Sequence, residues 1–497
     1  MIYLVTNNRE LFSNELYKIV SIEESLQILE PLKIVGLDTE TEGLDPHTKK
    51  LLLVQLGCKD FQVVIDCRTI DIYSYKEYLE SDRLFLGWNL KFDLKFLFKH
   101  KIYLKNVYDG FLAEKLLYLG YPAGIHSLSL KSAGEHYLNI ELDKSVRGKI
   151  IWSKVLTDDI IQYGAYDVKY LEDIKNEQEK LLAAQDLLRA IQIENKFVLP
   201  LAYCEYCGVK LDQDKWLAKM KQDDIREKTS KELCDNWLLE NYPDCPFITT
   251  DLQGDLFEGF NTKPIVTINW NSPKQVIPIF QHFGVNTKVE DKEHGGFKDS
   301  VEAKVLAPQA NICSLIPLYL KYGEATKVTS TYGQNFLDQI NPGSGRIHTN
   351  YSQMGADTTR ITSGGKDKGA GIEYVNLLNL PSDATTRACF VAEEGNRWIS
   401  IDYSGQETYL MASIANDQAI IKELTEGSGD IHSLTAYMSY KEIPRDTPIT
   451  EIKDKFHSLR QDAKGIEFAI NKIKYLYLVY CKYLLFLNTF YVVFILN

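Results

Sequence analysis

Ile34-Val35-Gly36-Leu37-Asp38-Thr39-Glu40 decides how the first third of the chain is read. Four apolar or small residues end in two carboxylates, and two more strand-like runs follow, Leu51 to Leu56 and Gln62 to Ile65, separated by a short polar turn. This spacing predicts a β-meander. Side chains alternate along a strand, so Asp38 and Glu40 project from the same face. Two adjacent carboxylates repel unless a cation lies between them, and oxygen ligands of this kind suit Mg²⁺ or Mn²⁺. A solvated strand end is the competing reading of these two residues alone.

Working outward, Leu84 to Trp88 predicts a further strand, and Asn89 to Asp93 opens a helix with Phe92, Phe96 and Leu97 on its apolar side. Asp158 to Leu171 predicts another helix, on which Tyr163 and Asp167 are four apart and share a face. Asp38, Glu40, Asp93 and Asp167 make a set that fits two divalent cations, one activating water and one stabilising the leaving oxygen of a phosphodiester. Tyr163 would orient the attacking water through its hydroxyl. Otherwise Tyr163 is a core aromatic and Asp167 a surface charge.

These three blocks, in this order, resemble the 3′–5′ proofreading exonucleases of the DEDD type with a tyrosine in the last motif. The resemblance covers about residues 20 to 190 and implies an RNase H-like fold, a mixed sheet flanked by helices. Further along, Glu194 to Trp216 reads as an amphipathic helix ended by Gly208. Asn269 to Gln275 reads as a turn and a helix start. Both resemble the region that enters the thumb in family A DNA polymerases.

Later blocks extend that likeness. Lys327 to Tyr332 and Arg346-Ile347-His348 resemble the family's approach to the palm. Thr358-Thr359-Arg360-Ile361-Thr362-Ser363 resembles its T-G-R-[LI]-S-S block, with Thr359 in place of glycine. Asn376-Leu377-Leu378-Asn379-Leu380-Pro381 resembles N-L-Q-N-[IL]-P. The likeness implies DNA-facing roles for Lys327, Arg360, Asn376, Asn379 and Arg387; without the order of the blocks they read as polar loop residues.

Trp398 to Asp402 predicts an apolar strand that presents Asp402 at its end, and Asp402 to Glu407 is similar to motif A of the family, D-Y-S-x-x-E. The likeness makes Asp402 a metal ligand and Glu407 the gate against a ribose 2′-hydroxyl. Asp430-Ile431-His432 has a counterpart in the family's D-[IL]-H block. Arg460, Lys464 and Phe468 form one helical stripe that can hold a triphosphate and stack on a base. They match motif B. After Asn471 the likeness stops, and no H-D-E string, the family's second palm block, occurs in the chain.

Composition fits this reading and adds an oddity. With 45% hydrophobic and 25% charged residues, the 497-residue chain is neither disordered nor fibrous, and its length predicts about three domains. The net charge of −12 excludes a histone-like coat for nucleic acid. Residues 471–497 carry Lys472, Lys474 and Lys482 and no acid, within a run rich in Tyr, Leu, Phe, Val and Ile. Translation of an AT-rich frameshift or intron explains this tail best. A membrane anchor needs ~20 apolar residues, more than Tyr483 to Leu496 supplies, and a buried core element is the third reading. Nine scattered cysteines suit a reducing cytosol. Cys204 and Cys207 read as small core residues rather than zinc ligands, and Ser363 to Gly371 as a mobile glycine-rich loop.

The expectation is therefore an α/β chain. Residues 1–190 would form an RNase H-like exonuclease domain, 191–345 a mostly helical thumb, and 346–470 an incomplete palm and fingers of a right-hand polymerase, before the aberrant tail 471–497. The expected activity is a DNA polymerase with proofreading, its polymerase half inactive alone for want of the second palm aspartate. It would use two divalent cations (Mg²⁺ or Mn²⁺) per active site, primer–template and single-stranded DNA, dNTPs, and a second polypeptide completing the palm. No membrane is expected, and the location would be the cytoplasm of a bacterium or a phage-infected cell. The alternatives are a stand-alone exonuclease with a DNA-binding or split-polymerase C-terminal part, and a membrane-tethered non-catalytic remnant.

Overall fold

A computed structural model describes residues 1–8, 16–122, 124–141, 156–253, 261–291, 295–356, 358–367, 372–401, 403 and 405–465. The chain divides into two compact units, Met1–Asn396 and Arg397–Asn497. Asp402, Phe468 and the whole tail 471–497 lie outside the described residues.

The first unit begins with a mixed seven-stranded sheet. Its strands are β1 (Ile2–Val5), β2 (Tyr17–Ile19), β3 (Ile34–Thr41), β4 (Leu51–Gly57), β5 (Gln62–Asp66), β6 (Leu84–Gly87) and β7 (Asn106–Asp109), in the order β2-β1-β5-β4-β3-β6-β7. The expected meander is there: β3, β4 and β5 pair antiparallel, while β6 and β7 continue in parallel from β3. β4 and β5 are buried along their whole length, so they read as continuous apolar runs rather than alternating ones.

Helices cover this sheet: α1 (Ile22–Leu29), α2 (Lys91–Lys99), α3 (Gly110–Leu117), α4 (Leu130–Leu138), α5 (Asp158–Lys169), α6 (Leu171–Ala184) and α7 (Leu188–Cys207). Ser21 and Glu24 close a capping box at α1, each side chain accepting from the other residue's backbone N–H. α5 turns Ile160, Ile161, Ala165 and Val168 to the sheet. Each fully buried isoleucine or valine of this kind contributes about 1.5–3 kcal/mol.

α7 ends at Gly208, whose φ of 60° only glycine adopts freely. This helix crosses the expected 190/191 boundary, and its Ile191, Val198 and Ala202 belong to the same core as the sheet. Glu205 on α7 is buried and takes Lys91 at 2.5 Å and Lys95 at 2.9 Å from α2, and it accepts the Tyr351 N–H at 2.6 Å.

Beyond it come α8 (Gln213–Asn241), α9 (Pro273–His282) and α10 (Leu315–Thr331), which enclose a second core around Trp270, Phe280, Leu306 and Ile316. Two expectations change here. Cys204 is exposed rather than packed in a core, because the apolar side of α7 faces the sheet elsewhere on its circumference, while Cys234 and Cys245 are buried in the second core. Part of the glycine-rich stretch is paired rather than a free loop, since Gly365–Asp367 lies antiparallel to Ile372–Tyr374, while residues 368–371 lie outside the described residues.

The second unit holds α11 (Gln406–Ala415), α12 (Gln418–Glu426), α13 (Ile431–Ser439), α14 (Ile449–Lys455) and helical residues 457–465. Its core is small, built on Ala436, Ile443, Ile452 and Ala463. Residues 397–401 are not a strand, contrary to the sequence pattern. Trp398, Ile399 and Ile401 are exposed by 59%, 79% and 88%, because a strand needs a ladder partner and none lies there among the described residues. Among the described residues, no helix is long and apolar enough to cross a membrane.

Candidate functional site: a carboxylate cluster on the sheet

Asp38 and Glu40 occupy alternate positions near the end of β3, and a register shift follows immediately between Glu40 and Thr41. Bulges of this kind end pairing and re-aim side chains beside active sites. α5 brings Asp167 to the same place. One carboxylate oxygen from each of Asp38, Glu40 and Asp167 lies within 4.8 Å of the other two, and no other such metal-holding group occurs among the described residues.

A cavity of about 750 Å³ opens over the cluster, lined also by Leu44, Trp88, Phe92, Phe111, Lys131 and Tyr163. Tyr163 sits one helical turn before Asp167 and hydrogen-bonds to it. Burial, together with the charges of Asp167, Glu40 and Asp38, pushes its phenol far above the ordinary range, so Tyr163 stays protonated and serves as a donor.

Asp93 is in the cavity wall but not in the cluster. It is buried, and its Oδ1 accepts the Thr39 hydroxyl at 2.5 Å. Strand alternation puts Thr39 on the opposite face from Asp38 and Glu40, which explains why Asp93 approaches separately. Burial raises its pKa to about 7, although the Thr39 hydrogen bond pulls the other way.

Two supports escaped the sequence reading. Thr39 stands inside the quoted acidic string. Asp109 caps α3 through Phe111 N and accepts the N–H groups of Asn89 and Leu90 at 2.8 and 2.9 Å, fixing the turn that starts α2 and so the position of Asp93. Its only sequence signal is an Asp directly before a helix. A third residue, Trp88, donates from Nε1 to the Leu128 carbonyl at 3.0 Å and ties down the loop beside the cavity.

The donor set is three carboxylates without cysteine or histidine. Hard oxygens close together fit a hard divalent cation.

The other expected residues are placed as follows. Lys327, Arg360, Asn379 and Arg387 are exposed in the first unit. The Asn379 carbonyl accepts the Tyr332 hydroxyl. Asn376 uses its side-chain oxygen to accept the N–H groups of Leu378 and Asn379 at 3.0 and 3.1 Å, which shapes the turn. Thr359, where the resembling block has glycine, has φ 64°.

In the second unit, Glu407 is exposed in the first turn of α11. Arg460 is held by Asp430 at 2.9 and 3.1 Å and by the Ser433 hydroxyl at 3.1 Å. Lys464 follows one turn later on the same helix. Burial alone would raise the Asp430 pKa, but the hydrogen bonds from Arg460 and Ser433 bring it below the usual carboxylate range. A cavity of about 410 Å³ adjoins this pair, lined by Tyr409, Ser428, His432, Lys453 and Arg460.

Comparison with known proteins bears on both units. Residues 16–183 match the sequence model of the 3′–5′ exonuclease family, and residues 256–471 that of DNA polymerase family A. DNA polymerase I of Borreliella burgdorferi is 26% identical over 471 residues, covering 91% of this chain and 46% of that protein. DNA polymerase I of Aquifex aeolicus is 24% identical over 467 residues, covering 90% and 70%. The chain thus spans about half the length of the Borreliella relative.

Among solved structures, the POL domain of Pol1 from M. smegmatis, in complex with DNA primer-template and dNTP, superposes with a TM-score of 0.64 at 18% identity. That likeness covers 94% of this chain and 71% of the other, and it shows a shared fold. One matched region thus follows the other: the chain matches the 3′–5′ exonuclease family over residues 16–183 and DNA polymerase family A over residues 256–471.

Proposed function

We propose that this chain removes nucleotides from the 3′ end of DNA at the Asp38–Glu40–Asp167 cluster, as the proofreading part of a DNA polymerase. The observation that carries this reading is the approach of those three carboxylates within 4.8 Å under a cavity large enough for a nucleotide. Asp38, Glu40 and Asp167 would hold divalent cations, Mg²⁺ or Mn²⁺. Such cations supply a nucleophile at neutral pH and stabilise charge on the leaving oxygen. Tyr163, protonated, orients water through its hydroxyl. Asp93 reinforces the site from the Thr39 side, and Phe92 and Phe111 offer faces on which terminal bases stack.

In this proposal residues 1–190 carry the exonuclease chemistry, with the rest of α7 completing their core, 191–345 otherwise form the thumb, 346–470 the first half of palm and fingers, and 471–497 an unrelated ending. Asp402 would hold metal for polymerisation. Glu407, Arg460, Lys464 and Phe468 would meet the dNTP, while Lys327, Arg360, Asn376, Asn379 and Arg387 would meet primer–template DNA. The work would be done in the cytoplasm during replication. With Mg²⁺, the full chain should shorten single-stranded DNA from its 3′ end, and equal loss from the Asp38→Ala, Glu40→Ala double variant would refute the reading.

The exposure of Trp398, Ile399 and Ile401 favours a second proposal for the polymerase part. A separate polypeptide would pair with this segment and bring the second palm carboxylate. Primer extension by this chain alone would rule that out.

A further inference from the structure

Gln55 lies in the middle of β4, is fully buried, and pairs in register with Asp38. Residues directly opposite in an antiparallel pair share a face, so Gln55 stands on the face that carries Asp38 and Glu40. α5 meets this face at two points of very close approach. A methyl group on Gly36 would lie 2.6 Å from the Val168 carbonyl oxygen, and one on Gly164 would lie 2.5 Å from Gln55 Nε2. Each contact adjoins a site residue, since Tyr163 precedes Gly164 and Asp167 precedes Val168.

Neither Nε2 nor Oε1 of Gln55 has a hydrogen-bond partner among the described residues, although both are buried. An unpaired buried amide is costly, and an apolar side chain of similar volume would avoid that cost. What the carboxamide has and leucine lacks is a flat end, thin enough to slide beneath the helix backbone. We propose that Gln55 is a positioning residue of the exonuclease site. Its carboxamide is the spacer on which the Tyr163–Asp167 turn of α5 rests, and with Gly164 it sets the height of Asp167 above Asp38 and Glu40. This rests on the proposed exonuclease function and adds to it a residue outside the acid motifs.

The test uses the full chain with Gly164→Ala, Gln55→Ser, Gln55→Leu and the Gln55→Ser/Gly164→Ala pair. Gly164→Ala should lower kcat on single-stranded DNA by about 10–100-fold, with KM changed by less than about twofold, and should weaken calorimetric Mn²⁺ binding by about tenfold. Gln55→Ser in that background frees the space for the new methyl and should recover both to within about threefold. Gln55→Leu should repeat the loss with a thicker side chain, and it decides the matter if Gly164→Ala does not fold by thermal melting.

Unchanged kcat and Mn²⁺ affinity in folded Gly164→Ala would overturn the inference, and so would a double variant no better than Gly164→Ala. If the unaltered chain binds Mn²⁺ through Asp38 but degrades no DNA, the exonuclease reading fails. The Mn²⁺ measurements then still decide the role of Gln55. If it binds no Mn²⁺ there, both fall.

Discussion

The acid cluster of the first unit and the Asp430–Arg460 pair of the second solve opposite electrostatic problems. In the first, three carboxylates are pressed together by rigid strand and helix backbone, with a large core beneath them. In the second, the cation is already answered by an anion of the same chain, and the buried core among the described residues is four small or medium side chains. A site that keeps like charges together must draw its rigidity from packing, since the charges themselves push it apart. A site that pairs its charges internally draws cohesion from the pair and must open it to receive a ligand.

The largest effect that would break this contrast is at the cluster. Asp38→Ala alone should cost about a thousandfold or more in exonuclease kcat, as expected of one member of a unit that acts together. A loss below tenfold would mean the cluster is a structural repulsion rather than a working site.

Asp93 sharpens the comparison through pH. Its folded pKa of about 7 is above the ordinary carboxylate value, so the folded chain keeps a proton that the unfolded chain releases. The stability this adds is complete below about pH 4 and is lost as pH rises through about 7. Metal-free chain should therefore melt lower at pH 8 than at pH 6, and Asp93→Asn should remove part of that fall, by ~3 °C. Asp109, raised to about 6 by burial, leaves a residual slope. A melting curve for Asp93→Asn that matches the unaltered chain at both pH values would contradict this.

For the paired site, Arg460→Ala should destabilise the second unit by about 1–2 kcal/mol, because it strips Asp430 of two charged hydrogen bonds. Urea unfolding with a probe in α13 would measure it. The smallest effect lies outside both sites. Threonine at φ 64° is strained, so Thr359→Gly should raise stability by about 1 kcal/mol. An unchanged denaturation midpoint would show that the turn relaxes around the threonine.

What the sequence made legible was local or periodic. The meander, the strand alternation of Asp38 and Glu40, and the shared face of Tyr163 and Asp167 follow from periods of two and 3.6. The supports were not legible, because they connect distant positions. Thr39 meets Asp93 54 residues away, and Gln55 reaches α5 only after the sheet is assembled. The apolar run Trp398 to Ile401 shows the limit from the other side, since apolar period alone does not make a strand without a neighbour to bond.

Glu205 has a practical consequence for anyone cutting this protein. It is wedged between two lysines of α2 and a backbone amide of residue 351, in a helix that completes the sheet's own core. A portable nuclease fragment ending near residue 190 would take the counter-charge from Lys91 and Lys95 and would strip Val198 and Ala202 from the hydrophobic interior. A cut at Gly208, where the helix stops, keeps both lysine pairs but still removes the Tyr351 N–H and Met354, a buried member of the same core.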